Sequence, residues 1–229
     1  MSVTTGLRTG WLLPLLLVLL IARLWLMPLG SSLWLDEMAT VFVVRHGTQD
    51  PSLAVVAPQA WRSVYYFLPR AMEEVFGFSE VVYRLPSVVA MAVALFLVAR
   101  LAARLIDRRA GWFAVFACLA LKGINYEAAD ARPYALGMCV AATSLHFLVR
   151  WLDGARWSDA VAFVLSAALV WRVHLLFWPF YIVMAAYAAA RIVPRETAVG
   201  WGVATAVAAV LAASLVPVAK DALQCLTPP

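Results

Sequence analysis

The chain has 229 residues, 65% of them apolar and 14% charged, and a net charge of +5; soluble domains run at about 45–50% apolar and about 25% charged. A water-soluble domain of this size would expose the apolar excess as large patches, so a soluble enzyme, a disordered tail and a nucleic-acid binder are excluded in favour of a polytopic membrane protein. The 18 basic residues are scattered, many at the ends of apolar runs, and the cysteines, at 118, 139 and 225, form no CxxC, so neither a basic binding face nor a disulfide or zinc framework is supported.

The first apolar run, Trp11–Leu29, follows Arg8. It is longer than the apolar core of a typical signal peptide and is predicted to be the first span, with Arg23 near its outer end. A long outer loop, residues 30–80, carries most of the polar material. Within it, Glu37–His46 predicts a short helix stopped by Gly47. Trp61, Tyr65, Leu68, Met72 and Val75 recur at steps of four and three. That spacing predicts an amphipathic helix lying in the membrane interface and kinked by Pro69.

Further spans are predicted at Val81–Ala103, Ala110–Ile124, Pro133–Trp151, Ser158–Trp171, Leu175–Ala190 and Ala198–Ala219, about seven in all. With the N-terminus in the cytoplasm, the short inner segments hold Arg8, Arg100, Arg104, Arg108, Arg109, Arg150, Arg156, Arg191 and Arg195. Only Asp107, Asp153, Asp159 and Glu196 oppose them. The outer segments show no such basic excess, so the positive-inside rule favours this orientation. Any chemistry is expected on the outer face.

Asp36 and Glu37 stand just after the first span. Paired carboxylates there can supply a general base or hold a divalent cation through oxygen ligands. Asp36 equally suits the N-cap of the helix that follows. Asp130 and Arg132 stand in Asp130-Ala131-Arg132-Pro133-Tyr134 at the mouth of the fourth span, and Pro133 suits a first helical turn. A helix N-terminus with an arginine suits a phosphate; the plainer alternative is an acid–base pair neutralising itself near lipid. Arg84, in Arg84-Leu85-Pro86-Ser87, is placed to snorkel to headgroups. His174 follows Arg172 at a turn between spans, where a lone histidine is more often a structural hydrogen-bonding residue than a ligand.

Taken in order, these motifs resemble the GT-C superfamily of membrane glycosyltransferases. They are most like its bacterial relatives of protein O-mannosyltransferases and of the aminoarabinose transferase of lipid A. The resemblance covers about Trp11 to Ala190, and its specific parts are Asp36-Glu37 and Asp130-x-Arg132-x-Tyr134. It implies an all-α polytopic transmembrane helical bundle, a single module over residues 1–229. It also implies transfer of a sugar from a polyprenyl-phosphate donor to a protein, lipid or glycan acceptor on the outer face, among membrane lipids and without nucleic acid. Asp36 and Asp130 resemble the catalytic carboxylates, and Glu37, Arg84, Arg132, Tyr134 and His174 the substrate-binding and supporting residues. His174 matches its motif at the histidine alone, with Val173 and Leu175 as flanks. No cofactor is certain; if a divalent metal takes part, Asp36 and Asp130 are its candidate ligands.

Full-length members of that superfamily carry further spans and usually a soluble outer domain. The chain is therefore expected to be a fragment, a degenerate copy or a partner-dependent module. A polyprenyl-lipid transporter is the alternative of another class. It should show polar span centres or inverted repeats, whereas the later spans are centred on Ala, Val and Leu.

Overall fold

The computed structural model describes residues 11–47, 50–53, 60, 63–192, 209 and 216, and the regular structure among them is helical. The predicted span Ala198–Ala219, and Trp61 in the outer loop, lie outside the described residues apart from positions 209 and 216.

Helix α1 spans Leu12–Ile21 and continues through a π turn, Ala22–Leu26, into a 3-10 turn, Met27–Gly30. No residue of α1 itself is buried, whereas the π turn buries Trp25 completely and leaves Arg23 exposed. The Trp25 indole N–H donates to Asn125 Oδ1 at 2.9 Å. Helix α2 covers Leu35–His46 and stops at Gly47, whose φ of 84° lies in the region that glycine adopts without penalty. A 3-10 turn, Val64–Tyr66, then leads into α3, Phe67–Phe76.

The predicted interfacial helix is present, but Pro69 does not kink it. The proline lies in the first turn of α3, where its missing N–H would have no intrahelical partner anyway. It is amphipathic as expected, with Phe67, Leu68, Val75 and Phe76 together on one exposed face and Arg70, Glu73 and Glu74 off it, but Tyr65 belongs to the turn before it and is buried.

Helix α4, Glu80–Leu105, is the central strut and packs against α3, α5, α6 and α7. Ser79 caps it by accepting from Val82 N–H. Helix α5, Arg108–Ala120, is capped by Asp107, whose Oδ1 accepts from Arg109 and Ala110 N–H at 2.7 and 2.9 Å. The span predicted over Ala110–Ile124 is broken at Leu121, where the backbone becomes extended and a separate short helix, α6 (Lys122–Ala128), begins. Asn125 holds the break by donating to Leu119 and Leu121 carbonyls. Helices α7 (Tyr134–Gly154) and α8 (Trp157–Val173) form an antiparallel pair, followed by a 3-10 turn, Leu175–Phe177, and α9, Pro179–Ile192.

Leu12–Gly30, Glu80–Leu105 and Tyr134–Gly154 are long and apolar enough to cross a bilayer. Two cores hold the bundle. One joins Trp25, Met91, Leu95, Val115 and Leu119, with Ala90, Ala94 and Ala135 letting the helices close in; the other joins Leu148, Phe163, Val170, Tyr181 and Met184. Around them Val89, Phe96, Phe113, Leu165 and Ile182 face outward as an apolar surface. At the end of the bundle far from α2, Asp153 pairs with both Arg104 and Arg191, and Arg150 pairs with Asp159 at 3.0 Å, joining α4, α7, α8 and α9.

Close packing is most demanding at Gly137 on α7. A Cβ there would run into the ring of Phe177, so that ring lies directly on bare backbone. Gly137→Val is expected to expel Phe177 and the turn behind His174 and to cost about 1–3 kcal/mol, the range for an overpacked core. Thermal unfolding in detergent, with Gly123→Val as the uncrowded control, checks this.

Candidate active site

The sequence places two carboxylates side by side at the start of α2, and helical geometry separates them. The N-cap is Trp34, not Asp36, so the capping reading of Asp36 is set aside. Asp36 and Glu37 are the second and third helical residues. Glu37 reaches back to accept from the Trp34 backbone N–H at 3.1 Å, the acidic half of a capping box. It is fully buried, while the Asp36 side chain is 60% exposed.

Glu37 is held on every side. Arg84, from the first turns of α4, donates to it through Nε at 2.7 Å and a terminal nitrogen at 2.5 Å. The remaining N–H groups of Arg84 reach the carbonyls of Pro28, Leu29, Ser31 and Ser32, which end the α1 segment. Ala131 N–H donates to Glu37 at 2.8 Å, and one helical turn later Thr40 Oγ1 donates to the Ala131 carbonyl at 2.7 Å. Both backbone groups of Ala131 are thus clamped to α2, and Ser87 of α4 donates to the Arg132 carbonyl next door.

That clamp sends the neighbouring side chains apart. Arg132 turns toward solvent and donates to Asp36 Oδ2 at 2.9 Å. A second N–H donates to the Tyr134 hydroxyl at 3.1 Å, with the guanidinium 4.8 Å above the Tyr134 ring. The Tyr134 ring lies 5.2 Å from the His174 ring, and His174 Nδ1 accepts from Leu176 N–H to cap the 3-10 turn. Asp36, Arg132, Tyr134 and His174 therefore form one row at the surface. Burial and the nearby Arg132 charge push the His174 pKa down, so it stays neutral at neutral pH.

Asp130 turns inward. It is buried beside Glu37, and neither carboxylate oxygen finds a hydrogen-bond donor among the described residues. Burial, with the charges of Glu37 and Glu127 adding to it against Arg132, pushes its pKa up to about 8. Glu127 is raised too, by burial. Glu37 moves the other way: burial raises it, but the bonds from Arg84, Ala131 and Trp34 prevail and hold it below the ordinary carboxylate range. The neighbouring acids are thus driven apart, one held ionised and one held protonated.

Above them lies a cavity of about 520 Å³ lined by Ser31, Ser32, Trp34, Arg84, Lys122, Asn125, Tyr126 and Asp130. Trp34 and Tyr126 meet edge-to-face across it at 5.5 Å. Lys122, Asn125 and Tyr126 were not singled out from the sequence. Lys122 falls inside the span predicted over Ala110–Ile124, and Asn125 and Tyr126 directly follow it; the signal was the polar density of Lys122, Asn125, Glu127 and Asp130 at the span's end. Among the described residues no three His, Cys, Asp or Glu side chains gather as a metal cage, and Asp36 and Asp130 face different sides of Ala131.

Arg84→Met is expected to leave Glu37 buried and uncompensated and to cost about 3–5 kcal/mol of stability. Arg84→Lys restores little, because an ammonium cannot span the same acceptors; thermal unfolding of both variants in detergent is the check. A pH series isolates Asp130. A carboxyl raised in the fold favours folding below its unfolded value near 3.8 and loses that contribution as pH rises toward about 8. Wild type should therefore lose stability between pH 4 and pH 8 relative to Asp130→Asn. Parallel curves would mean Asp130 titrates normally.

Residues 63–220 match the family model described as dolichyl-phosphate-mannose-protein mannosyltransferase. No curated protein and no solved structure matches the chain. The matched stretch takes in Arg84, Asp130, Arg132, Tyr134 and His174, while Asp36 and Glu37 lie ahead of it. With that match over more than half its length, on a bundle of apolar helices, this integral membrane protein belongs to the dolichyl-phosphate-mannose-protein mannosyltransferase family of membrane glycosyltransferases.

Proposed function

We propose that the chain transfers a sugar from a polyprenyl-phosphate donor to an acceptor hydroxyl on the outer membrane face, with Asp36 as the general base. The observation that carries this reading is Asp36 itself: an exposed carboxylate fixed by Arg132, two residues on from Trp34, which lines the cavity that has Lys122 in its wall. The cation-lined cavity takes the sugar phosphate, and Trp34 and Tyr126 offer apolar surface to the sugar. Asp130, protonated at neutral pH, donates a hydrogen bond into the same space.

The acceptor oxygen attacks the anomeric carbon and forms the new glycosidic bond. The bond from that carbon to the phosphate oxygen breaks, and its electron pair leaves with the polyprenyl phosphate. The hydroxyl proton passes to Asp36. Arg132 and Lys122 stabilise the charge growing on the phosphate. Glu37 and Arg84 serve as framework that fixes the Asp130–Arg132 loop, and His174 and Tyr134 brace Arg132.

An outward-facing site is supported by the charge at the other end of the bundle, where Arg100, Arg104, Arg108, Arg109, Arg150 and Arg156 collect, as cytoplasmic loops do. Residues 30–80 then form the outer loop of a single module.

Release of polyprenyl phosphate from a panel of polyprenyl-phosphate sugars tests the reading. Asp36→Asn should lower turnover about 10²–10⁴-fold, the usual contribution of a positioned base, while donor binding persists. Undiminished turnover would remove Asp36 from the chemistry. Donor binding without turnover in wild type would point to a partner-dependent module.

A further inference from the structure

The described surface holds a second concavity, away from the cavity at α2. It is a groove of about 420 Å³ between α1, α4 and α5, walled by Leu17, Ile21, Leu95 and Val115, with Trp25 at one end and Arg100 and Arg108 at the other. Arg84, at the active-site end of α4, is 16 residues from Arg100, or about 24 Å along the helix. The basic mouth therefore opens near the membrane surface opposite the candidate active site.

The charges at this mouth are not spent on the protein. Of the basic residues at this end, Arg104 and Arg191 hold Asp153, and Arg150 holds Asp159. Arg100 and Arg108 are exposed and have no acidic partner among the described residues; Arg100 touches only the Phe96 ring, 5.8 Å away. Asp107, the acid beside Arg108, is committed to capping α5. Trp112, a typical headgroup-level aromatic, lines the groove one turn further on.

Depth and charge together identify the occupant. From Arg100 to Ala92 the α4 wall runs about 12 Å at the helical rise. One leaflet is about half of the ~30 Å hydrocarbon core. An apolar slot spanning most of one leaflet, ending in two free guanidiniums, matches one acyl chain below a phosphate, and guanidiniums take phosphate oxygens in pairs. We propose that this groove binds a single anionic glycerophospholipid of the leaflet facing away from the active site, its phosphate between Arg100 and Arg108 and one acyl chain against Leu17, Ile21 and Leu95. This lipid is neither donor nor acceptor. It fills the cleft between α1 and the rest of the bundle, where α1 contributes no buried side chain of its own.

Native mass spectrometry of the full chain in detergent, titrated with phosphatidylglycerol, phosphatidylcholine or a polyprenyl phosphate, tests the assignment. One phosphatidylglycerol should be retained in preference to phosphatidylcholine. Arg100→Glu/Arg108→Glu should weaken retention about thirtyfold or more, from the attraction of two basic residues to anionic lipid. Ala92→Phe keeps both charges and fills the slot, so it should also displace the lipid. Arg70→Glu, on the exposed face of α3, should leave retention unchanged. Equal retention of the two lipids, or indifference to the charge reversal, would overturn the proposal. So would preferential retention of a polyprenyl phosphate at the same two arginines, which would make the groove part of the donor site. Retention of no lipid would overturn it as well. None of these outcomes depends on turnover, so they stand apart from the Asp36 test.

Discussion

The ion pair between Glu37 and Arg84 is the constraint on which the site depends. A buried pair of this kind seldom adds much stability over an apolar pair of equal volume, because two ions must first leave water. Its effect here is positional. Arg84 gathers four carbonyls from the end of the α1 segment, while Glu37 gathers the backbone of Trp34 and Ala131. Four separate pieces of chain are thereby fixed in register, with Thr40, Ser87 and Arg132 adding further polar links among them.

The same arrangement leaves other polar groups without protein partners. Asp130, Glu127 and Tyr65 each bury an oxygen that finds no hydrogen bond among the described residues. Such groups are uncommon, and each one costs stability unless something else satisfies it. Asp130 is the one of these three that lines the cavity, where a polar ligand would satisfy it; His146 Nδ1, on α7 away from the cavity, is likewise without a partner among the described residues. Asp130 shows the consequence most clearly, because it keeps its proton at neutral pH instead of carrying a second negative charge next to Glu37.

Much of this was legible in the sequence. Composition gave the membrane class, and the motifs around Asp36 and Asp130 picked out residues that the fold brings together from positions 96 apart. What could not be read was the division of labour within the motifs. Asp36 and Glu37 are adjacent and chemically alike, and only the helical phase and an arginine 47 residues away decide which is buried. The break at Leu121 was hidden because the apolar run before it continues through Ile124, with only Lys122 to interrupt it, so the residues of α6 went unnoticed. Pro69 misled because a proline in a first turn and one in mid-helix look the same until the turn's start is known.

The contact between Arg132 and Asp36 has a consequence for the timing of the proposed reaction. In the resting site the guanidinium is occupied by the very carboxylate that is to accept a proton. Once that proton arrives, Asp36 is neutral and its hold on Arg132 weakens, at the moment when negative charge builds on the departing phosphate. A single cation would then serve two anions in succession. Deprotonation of the acceptor and stabilisation of the leaving group become one linked event, with the charge passed from one partner to the next by a side chain that scarcely has to move.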